Sequence, residues 1–157
     1  MKYIQPTKVT STMIVVVILL SSMGWASAEG EGMTNRLKDC PASPNCVSSD
    51  GVGSAQRIPP LQIVGELVPA WTAQEGYLAQ TPEFTIVEKS GRYLRAEART
   101  RILRFIDDVE FMARPEDGII AMRSASRVGY YDFGANRRRL EAVRDHLIQA
   151  GVVRPIE

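Results

Sequence analysis

Phe84-Thr-Ile-Val-Glu-Lys-Ser-Gly-Arg-Tyr-Leu-Arg-Ala-Glu-Ala-Arg-Thr100 decides the fold class of this chain. Phe84 to Lys89 is strand-like, Ser90-Gly91 supplies a tight turn, and Tyr93 to Thr100 runs back. Leu94, Ala96, Ala98 and Ile102 alternate with Arg95, Glu97, Arg99 and Arg101. One face of the strand is therefore apolar and the other almost wholly charged. A third strand is predicted around Phe105 to Ala113, with Val109 and Phe111 on one side and Asp108 and Glu110 opposite. The turn Arg114-Pro-Glu-Asp-Gly118 leads into a fourth, Ile119 to Val128. Its phase is mixed: Arg123 and Arg127 share a face with Ile119 and Ala121, which a bulge or a change of exposure along the strand would produce.

Two helices flank these strands. Pro69 opens the first, which runs through Ala79 and is ended by Thr81-Pro82, with Trp71, Tyr77 and Leu78 as its buried contacts. The second begins at Ala135 or Asn136, is capped by Asp132, and reaches Ala150 with Gly151 as its stop. Leu140, Val143, Leu147 and Ala150 form its apolar stripe, and His146, the sole histidine, sits on its flank. The expected architecture is α+β: a small, mainly antiparallel sheet of about four strands packed against a short N-terminal helix and a longer C-terminal helix.

The N-terminal 28 residues read as a cleavable secretion signal. Lys2 and Lys8 provide a positive start, Met13 to Leu20 a short apolar core, and Ala26-Ser-Ala28 a cleavage site. An uncleaved anchor is the alternative, but the apolar run is short of the roughly 20 residues that span a bilayer. The expected location is therefore exported, periplasmic or secreted, with membrane contact only through an uncleaved signal. Cleavage takes away Lys2 and Lys8, leaving 17 basic against 18 acidic residues. That balance argues against a nucleic-acid partner, which calls for a basic excess. Residues 29–39 read as a flexible leader, Val47 to Pro60 as loop, and 40–157 as a single domain. Cys40 and Cys46 close a short, proline-stiffened loop, and in an exported chain that reads as a structural disulfide. A metal site would want more soft ligands, and a redox pair the tighter C-x-x-C spacing. No metal, cofactor or complete catalytic constellation is expected.

Chemistry concentrates between Arg123 and Arg139, where arginines, hydroxyls and amides meet at a strand-to-helix junction. Arginine forks onto carboxylate or phosphate, so the partner is an acidic network or an anionic ligand. Arg137-Arg138-Arg139 in the first helical turn oppose the helix dipole, which points to pairing elsewhere; Glu141 lies one turn on from Arg137. Arg99, Arg123, Arg127, Asn136 and Arg137 are the candidate ligand-binding residues. Glu97, Asp107, Asp108, Ser124, Ser126, Asp132 and Arg139 form the supporting polar network. Three functional readings follow. The first is a binding module recognising an anionic small molecule, a lipid headgroup or an envelope protein. The second is an Arg–carboxylate network that simply locks sheet to helix. The third is a hydrolase with Glu97 or Asp108 as acid or base and Arg123 or Arg127 on an oxyanion, although Ser124 and Ser126 have no histidine or lysine base nearby in sequence.

Several separated motifs also occur together: Cys40-Pro-Ala-Ser-Pro-Asn-Cys-Val-Ser-Ser49, Leu94-Arg-Ala-Glu97, Arg104-Phe-Ile-Asp-Asp-Val-Glu-Phe111, Arg123-Ser-Ala-Ser-Arg-Val-Gly129, Asp132-Phe-Gly134 and Asn136-Arg-Arg-Arg139. In this order the chain resembles the domain-of-unknown-function 1499 family over essentially all of its mature part. The resemblance implies a small bacterial domain, often exported or membrane-associated, and transfers no catalytic residue onto these positions.

Overall fold

The computed structural model describes residues 35–100 and 103–155. The expected secretion signal, the expected leader up to residue 34, and Arg101 and Ile102 of the second strand's alternation lie outside the described residues. The architecture is α+β, with a mostly antiparallel sheet and two helices, but the sheet has seven strands rather than about four. They are β1 (Cys46–Ser48), β2 (Leu61–Ile63), β3 (Phe84–Ser90), β4 (Tyr93–Arg99), β5 (Ile106–Arg114), β6 (Ile119–Ser126) and β7 (Val153–Arg154). The helices are α1 (Leu67–Gln80) and α2 (Ala135–Gln149). The expected N-terminal helix is thus neither ahead of the sheet nor short: β1 and β2 precede it, and its 14 residues nearly equal the 15 of α2.

β3 to β6 form the expected meander. Beyond β6 the order continues through β2 to β7, while β1 takes the other half of the same edge, pairing Cys46–Ser48 with Ala125–Arg123. Strands of two or three residues carry no alternation that a sequence can display; the open edge of β6 recruits β1 and β2, and β2 in turn recruits β7. Both helices cover the apolar face. Leu94, Ala96, Ala98, Val109, Phe111, Ile120 and Met122 meet Ala70 and Leu78 of α1 and Leu140, Val143 and Leu147 of α2 in one core. Ala150 is exposed at the C-terminal end of α2. On α1, Leu78 is buried as expected, whereas Trp71 and Tyr77 are half-buried and Gln74 takes an inward position. The carboxamide of Gln74 has no hydrogen-bond partner among the described residues. His146 stacks on Tyr77, ring centroids 4.5 Å apart.

The mixed phase of β6 comes from a change of exposure. β5 and β6 pair without interruption from Asp107–Ser126 to Arg114–Ile119, and the irregularity in the sheet lies in β3, between Ile86 and Glu88. On the outer face Leu37 is buried against Met112 and Ala121, so that part of the charged side is itself covered. The Leu37 N–H donates to Asp50 at 2.9 Å, and Asp50 receives both terminal nitrogens of Arg114, at 2.9 and 2.5 Å. No helix of the described residues is long and apolar enough to cross a membrane.

Cys40 and Cys46 are joined as a disulfide, their Cα atoms 5.7 Å apart. The bond ties the segment before β1 to the strand that edges β6. A loop this small restricts the unfolded chain modestly, so Cys40→Ser/Cys46→Ser is expected to lower stability by about 2 kcal/mol. Urea unfolding of the double variant against the oxidised parent measures it, and an unchanged midpoint would remove the stabilising role.

Candidate functional site

The sheet's alternation sorts the predicted site residues into two groups. Asp107, Ser124 and Ser126 point to the helix side; Glu97, Asp108, Glu110, Arg123 and Arg127 point to the other.

On the helix side, Asn136 and Arg139 of α2 meet the sheet. Arg139 is only 6% exposed. It donates to Asp107 at 2.8 Å, Glu83 at 2.7 Å, Asn136 Oδ1 at 2.9 Å and Ser124 Oγ at 3.0 Å. The fully buried Asn136 spends its amide nitrogen on the Asn45 carbonyl, Ser126 Oγ and Asp132, each at 2.9 Å, and Ser124 Oγ donates to its oxygen. Asp132 caps α2 from outside the helix, accepting the N–H groups of Gly134 and Asn136, both at 2.9 Å. Burial works against its ionised form, but these backbone and side-chain hydrogen bonds prevail and hold its carboxyl below the usual range. All three arginines of the first turn are engaged: Arg137 on the carbonyls of Ala55 and Arg57, Arg138 on that of Phe133, and Arg139 on carboxylates. Glu141 pairs with Arg144 rather than with Arg137.

On the outer face, Arg123 donates to Glu110 directly across the β5–β6 pair, and Tyr93 donates to the second oxygen of Glu110 at 3.0 Å. Burial and the neighbouring Glu110 charge push the Tyr93 phenol well above its ordinary range. Arg127 bridges Glu97 and Asp108, each at 2.7 Å, and Asp108 also receives Arg95 at 3.4 Å. Hydrogen bonding from Arg127 pulls the Asp108 carboxyl down, so it is ionised at neutral pH and poorly suited to act as an acid. Arg123 and Arg127 are thus occupied by carboxylates.

The cleft lies at the other end of this group of residues. Where β4 ends, β5 begins and β6 ends, a cavity of about 590 Å³ opens beside the start of α2. Asp107, Ser126, Asp132, Glu83 and Arg139 contribute its polar wall; Leu103, Phe105, Val128, Tyr131 and Phe133 contribute an apolar one. These five apolar side chains are all exposed, Tyr131 to 67% and Phe133 to 89%. Phe133 also sits in the left-handed region, with φ 52°. That backbone costs on the order of 1 kcal/mol for a side-chain-bearing residue, and here the flanking hydrogen bonds of Asp132 hold it. A second cavity, of about 580 Å³, shares Glu83 and Thr100 with the first and is also lined by Arg99, Arg104, Thr81 and Pro82. Among the described residues no three His, Cys, Asp or Glu side chains converge as a metal site.

Of the twelve predicted polar residues, the first cleft therefore gathers Asp107, Ser126, Asp132 and Arg139, and the second takes Arg99. Ser124 and Asn136 lie buried behind them, Arg137 reaches the 55–57 loop, and Glu97, Asp108, Arg123 and Arg127 stand on the opposite face. The sequence reading missed the apolar wall. Its signal was Tyr130-Tyr131-Asp132-Phe133 between Gly129 and Gly134, an aromatic run outside any periodic element.

Three carboxylates in this construction have depressed pKa values in the folded state: Asp50, Asp108 and Asp132. For Asp50, burial opposes ionisation, and the bonds from Arg114 and the Leu37 N–H outweigh it. Groups of this kind stabilise the fold fully above their unfolded pKa, roughly 4, and lose that contribution as pH falls through the lower folded value. Stability is expected to be level from neutral pH down to about pH 5 and to drop below about pH 4. Urea midpoints measured across that range check the sign, and Asp132→Asn should flatten the acid limb; stability rising on acidification would contradict the assignment.

The chain matches the family model described as "Protein of unknown function (DUF1499)" over residues 36–147. No curated protein and no solved structure matches it. The matched segment begins just before Leu37 and ends at Leu147, taking in the disulfide, the β3–β6 meander and the α2 entrance, and on that extent the chain belongs to the DUF1499 family.

Proposed function

We propose that this chain is an exported binding module whose cleft beside the α2 entrance takes a small molecule with an apolar body. One observation carries the reading: a strained, almost fully exposed Phe133 stands with Leu103, Phe105, Val128 and Tyr131 around a cavity of about 590 Å³. Packing does not explain an aromatic side chain held out in water on an unfavourable backbone, and such strain concentrates at functional positions. Clefts of this size, mostly apolar with a few converging polar groups, are the usual form of small-molecule sites. Export is supported by the signal-like first 28 residues and by the Cys40–Cys46 disulfide, which suits an oxidising compartment.

For the outer face a second reading is better supported. Carboxylates occupy Arg123 and Arg127, which favours the structural network there over an anion site. Neither face favours the hydrolase: Ser124 and Ser126 are bonded to Asn136, and His146 stacks on Tyr77.

The neutral fluorophore N-phenyl-1-naphthylamine tests the cleft. Saturable binding is expected, weakened at least about tenfold by Val128→Asp/Phe133→Ser, a loss of about 1.4 kcal/mol or more. Both side chains are exposed, so the variant should fold like the parent. A wild-type protein that does not take up the probe, or a variant that binds it equally well, would overturn the proposal.

A further inference from the structure

We infer that the two adjoining clefts are one bipartite site for an anionic amphiphile, a single-chain molecule whose carboxylate or phosphate head is held by Arg99 and Arg104. This rests on the apolar-cleft reading above and adds the class of ligand.

Glu83 and Thr100 line both cavities, so a molecule lying in the first reaches the residues that border the second. The second differs in character: it is lined by two arginines and two threonines, with Glu83 as its carboxylate. Glu83 is already taken by Arg139 at 2.7 Å, which offsets its charge and leaves the surroundings positive. Elsewhere the domain's arginines mostly sit on acids, as Arg92, Arg95, Arg114, Arg123 and Arg127 do. Among the described residues, no carboxylate lies within ion-pair reach of Arg99 or Arg104. Both are exposed, and both line the same cavity. Two guanidinium groups suit a carboxylate or phosphate, onto which each can fork.

The threonines separate by the same accounting of donors. Thr81 Oγ1 spends its hydrogen on the Tyr77 carbonyl, whereas Thr100 Oγ1 accepts from the Phe105 N–H and keeps its own hydrogen to donate. The boundary between the cavities therefore carries a hydroxyl donor beside the arginines, and the apolar wall begins at Leu103 and Phe105 on the same loop. Two arginines without carboxylate partners in the second cavity, and an exposed aliphatic and aromatic wall in the first opposite Asp107, Asp132, Arg138 and Arg139, form a pattern that an amphiphile matches. A compact anion would leave the apolar wall wet, and a neutral apolar molecule would leave the arginines unused.

Displacement of N-phenyl-1-naphthylamine from the full-length protein tests this with decanoate, decyl phosphate, decanol and inorganic phosphate, all below micelle-forming concentrations. The two charged amphiphiles are expected to displace the probe at concentrations at least about tenfold lower than decanol, with the advantage shrinking as salt is raised. Arg99→Gln/Arg104→Gln should bring them down to the decanol value; glutamine keeps the stem length, and both positions are exposed. The ratio of decanoate to decyl phosphate decides which head is preferred. Decanol matching decanoate on the wild type would overturn the head site while leaving the cleft reading intact, as would an advantage that survives the double variant. Displacement by inorganic phosphate alone would place recognition in charge only and overturn the amphiphile. Failure of the probe itself to bind would sink the cleft reading, and this inference with it.

Discussion

Arg139→Ala is expected to destabilise the domain by about 3–5 kcal/mol, a large share of the stability of a domain this size. The guanidinium has four side-chain acceptors around it, and Asp107, 2% exposed, has no other side-chain donor among the described residues. Truncation strands a buried carboxylate, and that desolvation, more than the lost attraction, makes the effect large. Replacing both partners by apolar groups, Arg139→Met/Asp107→Leu, should recover much of the loss, because no buried charge is then left unpaired. Asp107→Asn should fall between, since it keeps an acceptor for Arg139. Urea unfolding of the parent, Arg139→Met, Asp107→Leu and the double variant gives a double-mutant cycle, and residues in such direct contact should couple strongly. A loss under about 1 kcal/mol for Arg139→Ala would mean that water reaches Asp107 and that the polar wall of the cleft is not rigid.

That rigidity bears on the cleft. Asp107, Asn136, Asp132 and Arg139 fix the entrance of α2 against β5 and β6, and the same Asp132 holds the backbone that presents Phe133. A site whose supporting groups are locked by packing and hydrogen bonds loses less freedom when a ligand arrives. The sequence reading placed Asn136 among the ligand-binding candidates and Asp107, Asp132 and Arg139 in the supporting network, and in the structure the four are joined in one hydrogen-bonded frame.

The legible and illegible parts of the chain divide along physical lines. Alternation in Tyr93–Arg99 and in Ile106–Arg114 gave both strands and the facing of Val109, Phe111, Asp108 and Glu110, because residues two apart share a face whatever covers it. Leu140, Val143 and Leu147 gave α2 for the same kind of reason at helical spacing. β1, β2 and β7 were invisible, since strands so short exist only by pairing with a neighbour already formed. Ala121 looked misplaced on a charged face until Leu37, more than 80 residues earlier, proved to cover it. Arg99 was singled out for its charge, but the cavity it lines with Arg104 and Glu83 is shaped by loops with no period to read.

The second large effect is expected at Arg123, and its contrast with Arg127 shows what the sequence could not supply. The two arginines are four residues apart: Arg123 lies in β6 directly opposite Glu110, whereas Arg127 follows the last residue of that strand and reaches across to Asp108 and Glu97. Arg123 is 5% exposed and its partner Glu110 is buried beside it, whereas the Arg127 side chain is 36% exposed and shares Asp108 and Glu97. Coverage makes the difference: Glu110 and Arg123 adjoin the stretch where Met112 and Ala121 lie against Leu37, and β1 pairs alongside Arg123 through Ser48. Arg123→Ala should therefore cost about 3–5 kcal/mol by leaving Glu110 charged and unpaired, and Arg127→Ala no more than about 1 kcal/mol, since water screens its pairs. Glu110→Gln should also bring the Tyr93 phenol part of the way back toward its ordinary range, because burial remains after the neighbouring charge has gone. Neither arginine lines the cleft, so under conditions where each variant stays folded it should bind N-phenyl-1-naphthylamine like the wild type. Equal costs at the two positions would show that the outer face is uniformly wet or uniformly dry. Loss of probe binding in a folded Arg127→Ala protein would show that the outer-face network also shapes the cleft, against the separation of the two faces argued above.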